Sequence, residues 1–431
     1  MGTHTLQGRS SEVTAAPRNG GAVILILAAL TALTPLATDM LLPALPAMEG
    51  DLRASTSSIQ AALTAYLAGM LVGQLLLGPI SDSTGRKRLL VWGSVLFAVF
   101  SLACALAPNA QVLNAARIAE GLTGAAGMVL ARAVVGDWYR GQEAAKRFTA
   151  LSMIFAVAPI VAPVIGGGIL ALSTWRAMFV VLAVFGLLLA GAVTAVIPES
   201  LPPARRSSGG VGAAFTGMKG LLGQRPFLGY VLTFSFANVA LFAYISGSSF
   251  VFQDVYDLSE TGFSLTFALT AVGVLIGGAM FGALSGKGVR FNTVLTTGIL
   301  VGAVVSAAHL AVAVTVGNSL VSSLVFMFLS MFGIGATIPS VMTIGQEIGR
   351  SAGGAASALL GAGQCLLGGV TAPLVGALGT DSDKPMAVLM VVGFVLAALS
   401  LLLVARPWEG NGETTGPAGA PAGAAAGPDA A

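Results

Sequence analysis

Twelve apolar runs, each long enough to cross a lipid bilayer as a helix, constrain this chain more than any other feature. A spanning helix needs about 20 mostly apolar residues. Runs of this kind occur at roughly 21–43, 57–80, 89–107, 111–135, 147–171, 177–197, 226–250, 262–286, 292–314, 318–342, 353–378 and 385–405. The sequence therefore predicts an all-α membrane protein with twelve transmembrane helices.

Composition excludes several classes of protein. Only 9% of the 431 residues are charged and 55% are apolar, whereas an ordinary soluble protein has about 25% charged residues. A soluble enzyme, a nucleic-acid binder and a disordered scaffold are excluded, because so few charges cannot build a water-soluble surface. The two cysteines, Cys104 and Cys365, lie inside apolar runs and are interpreted as small buried hydrophobic residues. Two Cys with two His do not make a usual zinc site, and no nucleotide-binding motif is present. We therefore expect no metal, no cofactor and no ATP-driven pump.

The basic residues divide unevenly between the two sides of the predicted membrane. With both termini in the cytoplasm, sixteen of the 21 Lys and Arg residues fall in inside segments. Only Arg53, Arg176 and Lys384 fall in outside loops. Short cytoplasmic loops carry an excess of Lys and Arg, so we expect a multi-pass protein of the plasma (inner) membrane with both ends inside.

A long inside loop at 198–225 is predicted to separate two halves of six helices. The N-terminal half covers 21–197 and the C-terminal half 226–405. Residues 1–20 are predicted to be a polar cytoplasmic tail. The segment 406–431, whose end is rich in Ala, Gly and Pro, is predicted to be a disordered cytoplasmic tail.

Two landmarks recur between these halves. Ala-Pro-Val-Ile-Gly-Gly at 162–167 returns as Ala-Pro-Leu-Val-Gly-Ala at 372–377, an offset of 210 residues. Gly78, Asp82 and Arg86 after the second run correspond to Gly282, Gly286 and Arg290 after the eighth, an offset of 204. The halves are therefore predicted to be pseudo-symmetric about an axis along the membrane normal. Chance similarity between Gly-rich helices is the alternative.

The loop after the second run carries the most specific motif, Gly-Pro-Ile-Ser-Asp-Ser-Thr-Gly-Arg-Lys-Arg over 78–88. Glycine at the first position allows close helix approach, and the second glycine permits a tight turn. A basic loop that only fixes the topology is the simpler interpretation. The whole stretch, however, resembles the loop signature of the major facilitator superfamily, where it latches the two halves on the cytoplasmic side. The resemblance implies a latch that consists of Gly78, Asp82, Gly85, Arg86 and Lys87, with Asp137 as its acidic partner.

Further motifs resemble the Bcr/CflA drug-resistance branch of that superfamily. Residues 35–46 look like its first helix, and 117–121 resemble its fourth-helix motif. The segment 158–167 resembles the antiporter motif of the fifth helix, with Ala162 in place of the usual Gly. The motif residues in this chain are Pro159, Pro163, Gly166 and Gly167. Residues 175–176 and 198–201 also fit. The resemblance implies the major facilitator fold and drug:proton antiport.

Asp39 is a carboxylate inside the first apolar run. A charge is costly there, so we expect Asp39 to face a cavity or a partner. Desolvation and a nearby cation act on a carboxylate in opposite directions, and a proton-coupled carrier needs that competition. At about 1.5 Å per residue, Asp39 lies about 6 Å and Arg117 about 9 Å from the outer surface. We predict that Asp39 couples transport to protons together with Arg117, and a static ion pair is the alternative.

Glu120 lies three residues after Arg117, on the same helix face. It either neutralises Arg117 or is a second protonatable site, and the sequence leaves both open. The charges of Asp39, Arg117 and Glu120 sum to −1, so one proton would neutralise the three together.

Aromatic and Met side chains near a few polar groups suit varied apolar ligands. The predicted substrate-cavity residues are Tyr66, Asn238, Phe242, Tyr244, Phe326, Met327 and Met331. An ordinary core or lipid-facing position is the alternative for each of them. His309, near the end of the ninth run, is interpreted as an interfacial residue rather than a proton relay.

These observations predict a monomeric transporter that exports small, partly apolar drugs or antibiotics in exchange for protons. Its partners would be a drug-like small molecule, protons and the bilayer, and no nucleic acid. One alternative is a proton-coupled or facilitated importer of a small metabolite. Another is a sensor or receptor that keeps the fold without transport. The direction of flux distinguishes an importer from an exporter. Binding of a compound without flux would identify a sensor or receptor.

Overall fold

A computed structural model describes residues 20–139, 141–203, 206, 210–317, 319–350, 353–379 and 381–412. Over these ranges the chain is helical and contains no β-strand, which confirms the predicted all-α class. The α-helices are α1 Gly20–Asp39, α2 Leu45–Leu52, α3 Thr56–Thr84, α4 Arg86–Ala105, α5 Ala110–Trp138, α6 Gly141–Leu172, α7 Trp175–Val196, α8 Gly210–Leu222, α9 Arg225–Phe250, α10 Glu260–Gly286, α11 Phe291–Thr315, α12 Leu320–Ile348, α13 Gly353–Leu378 and α14 Lys384–Leu399. The predicted tails at 1–19 and 413–431 lie outside the described residues.

Twelve helical segments of the described chain are long and apolar enough to cross a membrane. Each coincides with one of the twelve predicted apolar runs, and most ends agree within a few residues. Two spans continue past an α-helix as a π-helical turn, at Val251–Val255 after α9 and at Ser400–Ala405 after α14.

The first span differs from the predicted straight helix over 21–43. The α-helix ends at Asp39, a 3-10 turn follows at Leu42–Ala44, and α2 begins at Leu45. Pro43 has no backbone N–H to bond the carbonyl of Asp39, which favours an end of the α-helix here. Pro35 lies inside α1, so a proline alone does not end a helix in this chain. Asp39 is therefore the last residue of a helix and does not lie within one.

Two predicted irregular segments contain structure. The inside loop 198–225 includes α8, whose Met218 and Leu221 are buried. The C-terminal segment forms a 3-10 turn at Pro407–Glu409. The carbonyl oxygen of Asn411 lies 3.5 Å from the Tyr230 hydroxyl, which donates to Asn292 Oδ1 at 2.7 Å. The prediction of disorder was therefore wrong for residues 406–412. Backbone hydrogen bonds within this turn stabilise it, and the amino-acid composition of the segment does not predict them.

Packing divides the chain into two compact units. The first contains residues up to Ala44, with 51–54 and 65–214. Within it α4 packs on α5 and α7, and α1 packs on α5 and α6. Glycines permit a close crossing of α3 and α5. A Cβ on Gly69 would overlap the carbonyl of Ile118, and a Cβ on Gly121 would overlap the carbonyl of Tyr66.

The second unit contains residues 45–50 and 55–64 together with the described residues from 215 to 412. Within it α12 packs on α10 and α11, and α9 packs on α13 and α14. The start of α3 belongs to this unit, because Gln60 Nε2 donates to the carbonyl of Ser246 at 3.0 Å and Thr64 donates to that of Gly369. The packing boundary therefore does not coincide with the predicted half boundary over residues 45–64.

Candidate functional site

Asp39 ends α1 with its side chain buried; the residue is 5% exposed. Its Oδ1 accepts a hydrogen bond from Thr38 Oγ1 at 2.9 Å. No ion pair to Asp39 occurs among the described residues. An ionised carboxylate is doubly disfavoured at this place, because it is buried and lies at the negative end of a helix dipole. The site therefore suits a carboxylate that exchanges a proton.

The antiporter-like segment of α6 packs directly on the turn after Asp39. A Cβ built on Gly166 would overlap the carbonyl oxygen of Met40, whereas a Cβ on Gly168 would meet nothing within 4 Å. Pro159 and Pro163 lie inside α6 one to two turns earlier, and Gly167 is buried next to Gly166. Only glycine lets the two backbones approach so closely. The motif residue Gly166 thus fixes the position of the chain beside Asp39.

Arg117 and Glu120 form an ion pair in α5, one turn apart. Arg117 Nη1 lies 2.7 Å from Glu120 Oε2, and both side chains are fully buried. Ser101 donates to Glu120 Oε1 at 2.6 Å, and Cys104 Sγ lies 3.6 Å from Oε2. Cys104 is buried as predicted, but it also takes part in this polar network. The arginine thus pairs with Glu120, and the alternative static pair with Asp39 is not seen among the described residues.

Aromatic rings enclose the Arg117 guanidinium. Its Cζ lies 4.3 Å from the ring centroid of Tyr66 and 5.8 Å from that of Phe179. A cation above an aromatic face is attracted by the ring quadrupole, most strongly where water is excluded. Tyr66, predicted as a substrate contact, is therefore part of the support for Arg117.

The predicted latch residues form one polar cluster in the first unit. Arg86 Nη2 lies 2.6 Å from Asp82 Oδ1, and its Nε donates to Asp137 Oδ2 at 3.2 Å. Arg86 also donates to Ser81 Oγ. Gly85, between α3 and α4, has φ 101°, a left-handed conformation that favours glycine. Gly78 lies earlier in α3, and Lys87 Nζ donates to the carbonyl of Thr194 at 2.8 Å.

Two residues that follow α7 complete this cluster, although sequence reasoning gave them no role. Glu199 Oε1 accepts from the backbone N–H of Arg86 at 2.8 Å, and Oε2 accepts from that of Lys87 at 3.3 Å. Ser200 Oγ donates to Asp137 Oδ2 at 2.8 Å. Glu199 therefore caps the N-terminus of α4 in place of a local side chain. The motif at 198–201 was recognisable, but the chain separation hid its partner.

The substrate-cavity candidates of the second unit are mostly buried within that unit. Tyr244 bonds to Thr270 and stacks on Phe267, with 5.3 Å between ring centroids. Asn238 Nδ2 donates to the carbonyl of Phe234 at 2.8 Å. The buried candidates are Asn238, Phe242, Tyr244, Met327 and Met331. Their packing partners explain this burial, and their contact with a substrate stays a prediction.

Phe326 stacks on His309, with 5.4 Å between ring centroids. The side chain of His309 is buried in the protein and pairs with Asp383; its position at the membrane interface stays a prediction. The 74-residue separation of the two gave no local sequence signal.

An apolar groove of about 440 Å³ lies between α1 and α6 in the first unit. It is lined by Ala32, Leu36, Met153, Ile154, Val157, Ala158, Val161 and Ile165. None of the predicted cavity residues lines this groove.

The twelve membrane-length helices of the described residues define a multi-pass membrane protein, and charged side chains are buried among them. The chain belongs to the Major Facilitator Superfamily, whose family model matches residues 27–373. Members of this family are transporters and not enzymes.

Curated relatives agree with this assignment. The chain is 39% identical over 392 residues to the uncharacterized MFS-type transporter YdgK of Bacillus subtilis, with coverage of 90% of this chain and 97% of that protein. It is 32% identical to the bicyclomycin resistance protein homolog of Haemophilus influenzae, over 58% of this chain and 63% of the relative. It is 28% identical to the multidrug resistance protein MdtL of Salmonella heidelberg, over 56% and 61%. The resemblance to a drug-resistance transporter of this superfamily is thereby confirmed.

Solved structures share the fold at low sequence identity. A bacterial homolog of the human lysosomal transporter Spinster, in an inward-facing and unoccupied conformation, matches with TM-score 0.72 and 16% identity, over 91% of this chain and 98% of that one. A point mutant of the nucleoside transporter NupG matches with TM-score 0.70 and 15% identity, over 89% and 98%. These similarities confirm the predicted major facilitator fold.

Proposed function

We propose that this transporter exports small, partly apolar compounds across the plasma membrane in exchange for protons. The observation that carries the proposal is Asp39, a buried carboxylate with no ion pair among the described residues, held beside Gly166 of the antiporter-like segment. Such a group binds a proton when it is enclosed and releases it when water or a cation reaches it. Competition between proton and substrate for the enclosed state gives exchange.

The pairing of Arg117 with Glu120 sharpens this proposal. Arg117 and Glu120 lie 2.7 Å apart inside α5, and their charges cancel. Of the two carboxylates, Asp39 is therefore the one without a compensating charge. One proton on Asp39 neutralises the set. We therefore assign proton coupling to Asp39 and a charge-neutral supporting role to Arg117 and Glu120.

Two relatives support export of antibiotics, since their names refer to bicyclomycin resistance and multidrug resistance. The basic inside segments support an orientation with both termini in the cytoplasm. The latch would then act on the cytoplasmic side, through Arg86 and its carboxylate partners. Tyr66, Asn238, Phe242, Tyr244, Phe326, Met327 and Met331 remain the proposed substrate contacts, and the transporter is proposed to act as a monomer.

Everted membrane vesicles that contain the chain test the exchange. Respiration acidifies the vesicle interior, and addition of bicyclomycin should release protons, which a pH-sensitive dye reports. A host without other drug exporters should also become resistant to bicyclomycin or to another compound of a susceptibility panel. Net accumulation of the compound inside intact cells would instead identify an importer. Binding without proton movement or flux would identify a sensor.

A further inference from the structure

His309 and Asp383 form a buried pair in the second unit, far from each other in the chain. His309 Nε2 lies 3.1 Å from Asp383 Oδ2, and the two side chains are 1% and 7% exposed. His309 lies in the last two turns of α11, and Asp383 is the N-cap residue of α14. The pair therefore joins the ends of two helices.

Uncharged groups from two further elements surround this pair. Ser323 Oγ of α12 donates to Asp383 Oδ2 at 3.1 Å, and the Tyr256 hydroxyl donates to the same oxygen at 3.4 Å. The hydroxyls of Tyr256 and Ser323 lie 2.7 Å apart. Burial raises the pKa of the Tyr256 hydroxyl, so this group stays a hydrogen-bond donor. The ring of Phe326 covers the imidazole. The charged residues next to these groups in the chain are Asp257 and Lys384.

The second ring nitrogen of His309 distinguishes this pair from a static one. Nδ1 is buried and has no hydrogen-bond partner among the described residues. When Nε2–H donates to Asp383, Nδ1 is only a lone pair and tolerates this enclosure. Protonation of the ring creates a second N–H that has no acceptor, and an unsatisfied buried donor is costly. The protonated ring must therefore gain water or move.

Tyr256 connects such a movement to α9. The chain passes from α9 into the π-helical turn Val251–Val255, and the N–H of Tyr256 donates to the carbonyl of Val251 at 3.1 Å. Single π turns in helices frequently mark functional sites. A rearrangement of the pair would thus be transmitted through the Tyr256 hydroxyl to the end of α9.

We propose that His309 and Asp383 form a second proton-binding site, in the second unit, whose occupancy sets the position of Tyr256 and of the π turn after α9. The imidazole takes up the proton at Nδ1, and the pair changes from a net charge of −1 to neutral. On the proposed orientation this end of the helices faces outside. Only this placement of the site on the outer side rests on the proposed function.

The chain offers a direct test, because it contains only two histidines, His4 and His309. In a His4→Gln full-length protein in nanodiscs, ring-labelled histidine reports His309 alone by NMR. We expect the ring to pass from the neutral Nε2–H form to the doubly protonated form as the pH is lowered. An imidazole that keeps one protonation state at every pH at which the protein stays folded would overturn the proposal.

Two matched variants identify the carboxylate partner. In Asp383→Asn the titration midpoint should move to lower pH by about one unit or more, since the imidazolium loses its anionic partner. Lys384→Gln, one residue away, should leave it within a few tenths of a unit. If Asp383→Asn does not insert, Ser323→Ala replaces it and must also shift the midpoint. An unchanged midpoint in the inserted variant would contradict the assignment.

A fluorine label on Asp254→Cys, an exposed position in the π turn, reads out the coupling. Its resonance should change with the same midpoint as His309, and the change should disappear in His309→Gln and Tyr256→Phe. A label that does not respond to pH would refute the link to α9. Asp39→Asn should leave both titrations intact, so failure of the proposed exchange and failure of this site are distinguishable.

Discussion

Glu120 and Asp39 are both buried carboxylates of the first unit, but they differ in what compensates their charge. Glu120 accepts from Arg117, Ser101 and Cys104, whereas Asp39 accepts from Thr38. The arginine at 2.7 Å compensates the charge of Glu120 within the same helix. The sequence left two roles open for Glu120, and this difference favours the neutralising one.

We therefore expect Glu120→Ala to destabilise the protein strongly. It leaves the Arg117 charge buried and unpaired, a change that costs about 3–5 kcal/mol. Glu120→Gln keeps an acceptor for Ser101 and Arg117 and should cost less. Thermal stability of the solubilised protein measures both. Loss of proton release in an otherwise stable Glu120→Gln protein would instead make Glu120 a proton site.

At the scale of the elements, α4 begins with a cap that comes from a distant segment. Glu199 accepts from the first two N–H groups of α4, next to a glycine that offers no side chain. Glu199→Ala should lower the free energy of unfolding by about 1 kcal/mol. Glu143→Ala, which removes an exposed pair with Arg147, should change it by less. Equal effects of the two substitutions would contradict the capping role.

The close contact between α6 and the turn after Asp39 is expected to matter for transport. Gly166→Ala places a methyl group on the carbonyl of Met40, so α6 or the turn must shift and Asp39 with it. Gly168→Ala, two residues further on, meets nothing within 4 Å. We expect the first variant to lose most drug-induced proton release at normal membrane levels, and the second to resemble the wild type. Similar activities of the two would show that the close approach has no role in coupling.

The sequence predicted the elements better than their connections. A continuous apolar run of about 20 residues identifies a spanning helix without any helical periodicity, so all twelve spans could be predicted. The end of α1 at Asp39 was missed, because the apolar run continues through Pro43 while the helix does not. The loop over 78–88 and its partner Asp137 were expected from the family resemblance, and the structure brings Asp82, Arg86 and Asp137 together. Glu199, Ser101 and the pair of His309 with Asp383 were not predicted, since each acts across a long chain separation.

For the molecule as a whole, the described residues after the last span, 406–412, contact the second unit. The carbonyl oxygen of Asn411 lies 3.5 Å from the Tyr230 hydroxyl, and Gly412 lies against Ile344, where a Cβ would come within 2.7 Å. A chain that stops after Gly412 should therefore match the full chain in stability and resistance. A chain that stops after Trp408 loses these contacts but leaves the Tyr230 hydroxyl bonded to Asn292, so it should be only slightly less stable and keep its transport activity. Thermal unfolding and drug resistance at matched expression measure the two effects. A large loss of resistance in the first truncation would give the remaining tail a function.

Proton exchange by the whole transporter is proposed to depend on Asp39, and the substitution Asp39→Asn removes its ionisable group. Asn preserves size and can still accept from Thr38, but it cannot bind and release a proton. Asp51→Asn, an exposed carboxylate paired with Arg176, is the control. In energised everted vesicles with matched protein levels, bicyclomycin or the best substrate of the panel should release protons with the wild type and Asp51→Asn, and not with Asp39→Asn. Substrate-induced proton release of wild-type size in Asp39→Asn would show that Asp39 does not carry the exchanged proton.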